Sequence, residues 1–271
     1  MGGSSMRNLF CLTFGVVALW SFTAQGASQT GDDRVRFCFN DWPPYSTAVD
    51  GVSSGLSVDI LREAARRAAM VADFVALPWK RCLSSVESGE NDAVLDAAER
   101  PEFVHGKISF SVYTNTFWVR GDDPLTSFDT SKLSGRRLGL VAGYVYGDTL
   151  EQLFADRRMI IDRSVNDSMN ARKLGFGRTD IIVADFVSTR VLAAAADLDL
   201  RPLQPPHSFD RLYPSFNAGR RNMMLKIDKA LKAMCADGYI QRAYEATLGI
   251  GIDAIAGGSI CASGSLTQAS R

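Results

Sequence analysis

The sequence predicts an α/β protein, because short apolar runs alternate with amphipathic helical stretches along most of its length. Residues 93–95 form a short apolar run behind the turn signal at Gly89, which is typical of a strand buried on both faces of a parallel sheet. A helix is predicted for residues 58–70, because Ser57 can cap its first turn and apolar residues recur along one face. The same patterns predict strands at 34–40, 73–77, 115–120, 136–141, 159–162, 180–184 and 212–218, and helices at 166–174, 186–196 and 223–234.

Composition narrows the function classes. The chain has 271 residues, 46% apolar and 22% charged, which is ordinary for a globular protein and sufficient for two lobes. Lysine plus arginine equals aspartate plus glutamate, at 30 each, so no overall basic field favours nucleic acid. The two histidines, His105 and His207, lie in unrelated segments, and we therefore expect no zinc site and no cofactor.

The first 26 residues are predicted to be a secretory signal peptide. Arg7 supplies a positive charge, residues 9–20 form an apolar stretch, and the small residues Ala24 and Gly26 favour cleavage before Ala27. The alternative is a membrane anchor, but the apolar stretch is shorter than the ~20 residues that a span needs. We therefore expect export to the periplasm.

Arg100 is the strongest candidate for a functional residue. It follows the predicted strand at 93–95 by a few residues, and ligands of open α/β sheets bind outside the carboxyl ends of the strands. A guanidinium presents a planar set of donors that fits a carboxylate in two parallel hydrogen bonds. The alternative is that Arg100 is a solvated loop residue, since most charged side chains lie on the surface.

Three segments carry a resemblance to a known family: Gly89-Glu90-Asn91-Asp92-Ala93-Val94, then Ala97-Ala98-Glu99-Arg100, then Phe110-Ser111-Val112-Tyr113. In this order and spacing they resemble the bacterial extracellular solute-binding proteins of family 3, the type II periplasmic binding proteins for polar amino acids. The resemblance runs from about Arg34 to Gly249. It implies a two-lobe type II fold with two crossovers between the lobes.

The resemblance also implies roles for particular residues. Arg100 matches the arginine that binds the α-carboxylate of the ligand, and Asp185, after the predicted strand at 180–184, matches the aspartate that binds its ammonium group. Asp185 has an alternative role, because a carboxylate before a helix can simply cap it. The chain departs from the family at Ala97, where threonine is usual, and at Val112, in a segment that also lacks the usual proline.

Aromatic residues are expected to line the site. The resemblance places Trp42 and Tyr45, which flank two prolines after the first strand, and Tyr113 beside the ligand. Trp42 and Tyr45 could instead only pack their loop, and Trp79 is more typical of a core residue. Gly143 and Tyr144 lie where the family has a carboxylate-binding loop with hydroxyl residues, so a more aromatic pocket is expected.

Lobe boundaries are predicted from polar and proline-rich breaks. Lobe one comprises 34–120 and 211–250, and lobe two comprises 124–205, with crossovers at 121–124 and 202–210. Residues 251–271 are rich in glycine, alanine and serine and are predicted to be a flexible tail.

Four cysteines remain after removal of the signal peptide, and they allow three pairings. An oxidising compartment favours disulfides, and the first choice is Cys38–Cys82 within one lobe, which leaves Cys235–Cys261. The alternative is that these cysteines are buried free thiols.

The resemblance favours a binding protein, not an enzyme. It implies a monomer that captures an amino acid or related zwitterion between its lobes and delivers it to an ABC-transporter permease. One alternative is a periplasmic enzyme of the same fold, similar to cyclohexadienyl dehydratase. Asp96 and Glu99 lie near the right place for such an enzyme, but no proton donor is identified. The other alternative is an accessory protein of a periplasmic dehydrogenase.

Overall fold

The computed structural model describes residues 1–2, 34–155 and 159–261. The predicted signal peptide and its cleavage site before Ala27 therefore lie outside the described residues. Within the described ranges, none of the helices has both the length and the apolar character needed to span a membrane.

Strands and helices alternate through most of the chain, as the sequence predicts. The strands are β1 (Arg34–Phe39), β2 (Thr47–Val49), β3 (Val52–Ser54), β4 (Val71–Ala76), β5 (Ala93–Ala97), β6 (Val104–His105), β7 (Ser111–Arg120), β8 (Arg137–Val141), β9 (Ile160–Ser164), β10 (Ile181–Ala184), β11 (Leu200–Pro202) and β12 (Ser208–Phe216). The helices are α1 (Leu56–Arg67), α2 (Trp79–Glu87), α3 (Asp148–Ala155), α4 (Asp167–Gly175), α5 (Phe186–Ala195), α6 (Arg221–Ala236), α7 (Tyr239–Leu248) and α8 (Ile252–Ile255).

Two groups of parallel strands are joined by a pair of long antiparallel strands. β1 pairs in parallel with β4 and β5, and β8 pairs in parallel with β9 and β10. β7 and β12 connect these groups, since β7 pairs with β12 through its first half and with β10 and β11 through its second half. β12 in turn pairs with β5 through residues 213–216. This arrangement confirms the predicted fold class with two crossovers.

Each group of strands has its own hydrophobic core. In the first group, α1, α6 and α7 cover β1 and β5 with residues such as Leu61, Ile227 and Tyr244. In the second group, α3 packs Leu150 against Ile181 and Val183 of β10 and their neighbours. Two cores joined by two strands form the two lobes of the fold.

The lobe boundaries stay predictions, but the strand register bears on them. Residues 116–118 of β7 already pair with β10 of the second group, ahead of the polar break at 121–124. On this register the chain passes between the lobes inside β7 and β12, and not in the loops that flank them.

The first helix begins differently from the prediction. α1 starts at Leu56 with Gly55 before it, and Ser57 makes no capping hydrogen bond. Gly55 has φ +117°, and a Cβ atom there would lie 2.5 Å from the carbonyl oxygen of Tyr45. Glycine is therefore required at this position, and it brings the start of α1 against the loop that follows β1.

Both disulfides are present, Cys38–Cys82 between β1 and α2 and Cys235–Cys261 between α6 and the chain beyond α8. The prediction of a flexible tail is wrong for its described part, 251–261. Ile252, Ala256 and Ile260 are buried against the core of the first lobe. Ile252 and Ala256 lie one turn apart at α8 and Ile260 follows beyond the helix, so this segment gains apolar contacts in addition to the disulfide.

Candidate ligand-binding site

A cavity lies where the two groups of strands meet, at the carboxyl ends of β1 and β5. It encloses about 530 Å³ of empty space, part of which is open to solvent. Its aromatic wall consists of Phe39, Trp42, Trp79, Tyr113 and Tyr144, and its polar groups come from Asn40, Ser46, Asp96 and Arg100. A few polar groups among aromatic side chains are typical of small-molecule sites.

Arg100 lines this cavity, so the solvated-loop alternative is wrong. Its side chain is only 11% exposed and its guanidinium lies 5.7 Å from the ring centre of Trp79. Nη2 donates to the carbonyl oxygen of Gly143, and Nη1 lies 3.4 Å from Oε1 of Glu102. Within the described part of the chain, the buried Nε has no hydrogen-bond partner. The guanidinium thus has one donor that no described residue uses.

The segment after β8 approaches the first lobe through Gly143. Its carbonyl oxygen accepts a hydrogen bond of 2.9 Å from Nε1 of Trp79 as well as the bond from Arg100. Gly143 has φ +87°, and a Cβ atom would lie 3.2 Å from the Trp79 ring. Gly143 is absent from the cavity wall itself. Its role in this structure is to let two donors of the first lobe converge on one backbone oxygen of the second.

Tyr144 connects the two sides of the cavity. Its hydroxyl accepts a hydrogen bond of 2.9 Å from Nδ2 of Asn40 and donates one of 2.6 Å to Oδ2 of Asp167. The hydroxyl of Tyr113 donates a longer bond, 3.4 Å, to Oδ1 of the same carboxylate. Burial raises the pKa of Asp167 to about 6, although the Tyr144 hydrogen bond opposes the shift. Asn40, which sequence reasoning missed, therefore holds the Tyr144 hydroxyl by a hydrogen bond from the first lobe.

Trp42 lines the cavity, whereas Tyr45 does not. The Trp42 ring stacks on Tyr45 at 4.1 Å and on Tyr113 at 5.9 Å between ring centres. Tyr45 lies behind Trp42, is fully buried and packs into the core near Tyr244. The prediction that Tyr45 walls the pocket is not supported, because Trp42 occupies the position between it and the cavity.

Asp185 is a structural residue here and does not line the cavity. Its carboxylate is fully buried and accepts hydrogen bonds from the backbone N–H of Ser188 at 2.8 Å and of Thr114 at 3.0 Å. The Thr114 hydroxyl donates a third bond of 2.8 Å. Burial raises the pKa of Asp185, and these hydrogen bonds oppose the shift. The alternative reading, a cap for α5, is the one the geometry supports, and Arg100 and Asp185 do not face each other across the cavity.

Replacing Asp185 by alanine is expected to reduce the free energy of unfolding by about 3 kcal/mol, because α5 loses its cap and two buried donors of Thr114 lose their acceptor. Asp185→Asn keeps one acceptor oxygen and should lose less. Urea unfolding followed by circular dichroism measures both variants. A direct ligand contact would give the opposite pattern, namely a stable Asp185→Ala protein without ligand affinity.

Asp96 is the group that sequence reasoning undervalued. It lies near the end of β5, where the pairing with β12 shifts: Ala97 pairs with Tyr213, but Val94 pairs with Ser215. β5 therefore carries one additional residue opposite Pro214, which has no N–H to donate to the ladder. Such a bulge changes the direction of a side chain, and Asp96 forms part of the cavity wall.

The Asp96 carboxylate is buried without a partner. Both oxygens are inaccessible, and among the described residues neither has a hydrogen bond of normal geometry. Burial raises its pKa to about 7, while the nearby hydroxyls of Ser57 and Ser111 oppose the shift. These hydroxyls are close enough to act electrostatically but lack the geometry of hydrogen bonds. The sequence signal was an acidic residue inside an otherwise apolar run, from Ala93 to Ala98.

The chain was compared with protein families, curated proteins and solved structures. The family "Bacterial extracellular solute-binding proteins, family 3" matches residues 35–249. A probable ABC transporter extracellular-binding protein, YckB of Bacillus subtilis (strain 168), is 30% identical over 153 residues, which are 54% of this chain. The chain spans about half of that relative, 52% of its length.

Solved structures share the fold. A histidine kinase sensor domain with similarity to periplasmic binding proteins superposes with a TM-score of 0.72 at 17% identity, over 80% of this chain and 96% of that one. A putative L-cystine ABC transporter protein from Listeria monocytogenes gives 0.71 at 17% identity, over 80% and 96%. An ancestral arginine-binding protein bound to arginine gives 0.68 at 20% identity, over 80% and 99%. With the family match over most of its length, the chain belongs to the bacterial extracellular solute-binding proteins of family 3.

Proposed function

We propose that this protein captures a small polar solute, an amino acid or a related zwitterion, and presents it to the permease of an ABC transporter. One observation carries the proposal: Arg100 lines a cavity between the two lobes, and its guanidinium retains a donor, Nε, that no described residue uses. Membership of a solute-binding family and the similarity to an ABC-transporter binding protein support it.

The chemistry of Arg100 suits a ligand carboxylate. In this structure its Nη2 bonds to the neutral carbonyl of Gly143. Hydrogen bonds to an ionised carboxylate are roughly twice as strong as those between neutral groups, and a carboxylate can accept two of them in parallel. A ligand carboxylate can therefore compete with the Gly143 carbonyl for this guanidinium, at the point where the second lobe meets the first.

Contacts from both lobes connect binding to closure. Tyr144 and Val145 of the second lobe and Trp42 and Arg100 of the first lobe share the cavity wall. A solute that contacts both sides binds the closed arrangement more tightly than an open one, and this difference in affinity shifts the equilibrium. The closed form is then the one that a permease recognises. We further propose that the protein acts as a monomer in the periplasm, and as a binding protein without catalytic activity.

The test is a thermal denaturation screen of the purified chain, without residues 1–26, against the twenty L-amino acids. A true ligand at 100 times its dissociation constant adds about 2.7 kcal/mol to the free energy of unfolding, which is a clear rise in melting temperature. Isothermal titration calorimetry then gives the affinity of each amino acid that stabilises. If none of the amino acids raises the melting temperature or gives binding heat, the proposed function is wrong.

A further inference from the structure

Asp96 is the one group in the cavity wall whose charge the surrounding chain leaves uncompensated. Its two oxygens are buried and lack hydrogen bonds of normal geometry, and no ion pair involves it among the described residues. A buried carboxylate without a cation is costly, so side chains of this kind are almost always paired when they are buried. Arg100 follows closely in sequence, but its bonds go to Gly143 and Glu102.

The elements around Asp96 supply no positive charge in its place. Ser57 of α1 and Ser111 of β7 approach it with hydroxyl groups, and Tyr45 and Tyr244 of α7 are the titratable groups that interact with it. All four are buried and neutral at physiological pH. The carboxylate oxygens are therefore surrounded by weak dipoles on the core side, and Asp96 is also one of the residues that line the cavity.

We infer that Asp96 binds the cationic end of the ligand, so that the site selects solutes that carry a primary ammonium or another protonated amine. This inference rests on the proposed function and assigns the cation-binding role to the first lobe, in place of Asp185. Arg100 and Asp96 lie four residues apart in the first lobe, and both line the cavity. They can receive the two ends of a zwitterion before the second lobe closes over it.

Binding is then linked to a proton. Near neutral pH the buried carboxyl is partly protonated, since its pKa is raised to about 7. A ligand ammonium replaces that proton: the O–H bond of the Asp96 carboxyl breaks, the proton leaves to solvent, and the carboxylate accepts a hydrogen bond from the ammonium. The faces of nearby rings, among them Trp42, add attraction for the cation. As the pH increases toward 7, the affinity for amines is expected to rise about tenfold for each pH unit, and above pH 7 it levels off.

The test uses matched probes and variants. The probes are the twenty L-amino acids, together with the series L-phenylalanine, phenethylamine and 3-phenylpropionate, and L-arginine with agmatine. Calorimetry at pH 6 in phosphate and in an amine buffer counts the protons released, and we expect close to one proton per amine-bearing probe. The variant is Asp96→Asn, and the control is Asp59→Asn, an exposed carboxylate on α1 outside the cavity.

For the probes that bind, Asp96→Asn is expected to weaken the affinity of amines and amino acids at least about 30-fold and to abolish proton release, while Asp59→Asn changes neither. An amino acid that binds Asp96→Asn as tightly as the original chain, or without proton release in the original chain, overturns the inference and leaves the proposed function intact. Binding of 3-phenylpropionate without any amine-bearing probe overturns it as well. If no probe binds the original chain, both the proposed function and this inference fall.

Discussion

Replacing Arg100 by alanine is expected to weaken the binding of an amino-acid ligand at least about 30-fold while the chain stays folded. Removing one partner of a buried charged hydrogen bond costs about 2–5 kcal/mol of binding free energy, and each 1.4 kcal/mol is a factor of ten. The side chain forms part of a cavity wall, so its truncation opens no void in a packed apolar core. The loss also removes a bond between the lobes, since Arg100 donates to the Gly143 carbonyl.

Two further variants separate the role of Arg100 from a general effect of charge. Arg100→Lys keeps the charge but loses the planar pair of donors, and we expect it to retain an intermediate affinity. Arg36→Ala removes an exposed arginine from the beginning of β1, away from the cavity wall, and should bind like the original chain. Calorimetry with the best amino acid from the screen measures all three. Affinity of Arg100→Ala within threefold of the original chain would rule out the carboxylate contact.

The α/β fold class and the position of Arg100 behind a strand could be predicted for one physical reason, whereas the family and the two-lobe architecture came from the resemblance of three segments. Apolar strands, glycine turns and the residues behind a strand are local features, and the carboxyl edge of a parallel sheet brings them together. The resemblance to the family placed Trp42, Tyr113 and Tyr144 at the site. The cysteine pairing was also within reach, since Cys38 and Cys82 lie on neighbouring elements of one lobe.

Asp185 could not be assigned in this way, because two roles share one local pattern. A carboxylate between a buried strand and a helix can face a ligand or cap the helix, and the local sequence fits both. The decision comes from Thr114 on β7, 71 residues earlier in the chain, whose N–H and hydroxyl both donate to the carboxylate. A contact between such distant residues has no signal in a single sequence.

Asp96 was named only for the enzyme alternative, and its position in the ligand cavity was missed for a related reason. Alternation along a strand fixes which face each side chain takes, and one additional residue reverses it. The bulge in β5 lies opposite Pro214 of β12, a strand that returns only after the whole second lobe.

The described end of the chain was mispredicted because its small residues outnumber the spaced apolar ones, Ile252, Ala256 and Ile260, that pack it against the core.

Asp96→Asn is expected to stabilise the chain without ligand at pH 8 by about 2 kcal/mol, although it weakens ligand binding. The ordinary pKa of aspartate is 3.8 and burial raises that of Asp96 to about 7, so the folded chain binds the additional proton between these values. The contribution of this proton to the free energy of unfolding is complete below pH 4. It is lost as the pH rises to about 7, and the total loss is on the order of 4 kcal/mol. The neutral amide of Asp96→Asn does not lose this contribution, but its own unsatisfied polar groups cost about 2 kcal/mol. The expected net gain in the free energy of unfolding is therefore about 2 kcal/mol.

The pH profile distinguishes this cause from any other. Urea unfolding between pH 4 and 8 should show the stability of the original chain falling relative to that of Asp96→Asn, with the difference growing up to about pH 7 and constant above it. Asp167, with a pKa of about 6, contributes equally to both proteins and cancels in the difference. Asp59→Asn should follow the original chain at every pH.

A parallel profile, with Asp96→Asn less stable throughout, would mean that Ser57 and Ser111 already satisfy the carboxylate. In that case the side chain would have no charge to offer an amine. A variant that is more stable and binds less is what a site held ready for a cation should give, since the free energy that the fold gives up at Asp96 is recovered only when a ligand supplies the missing charge.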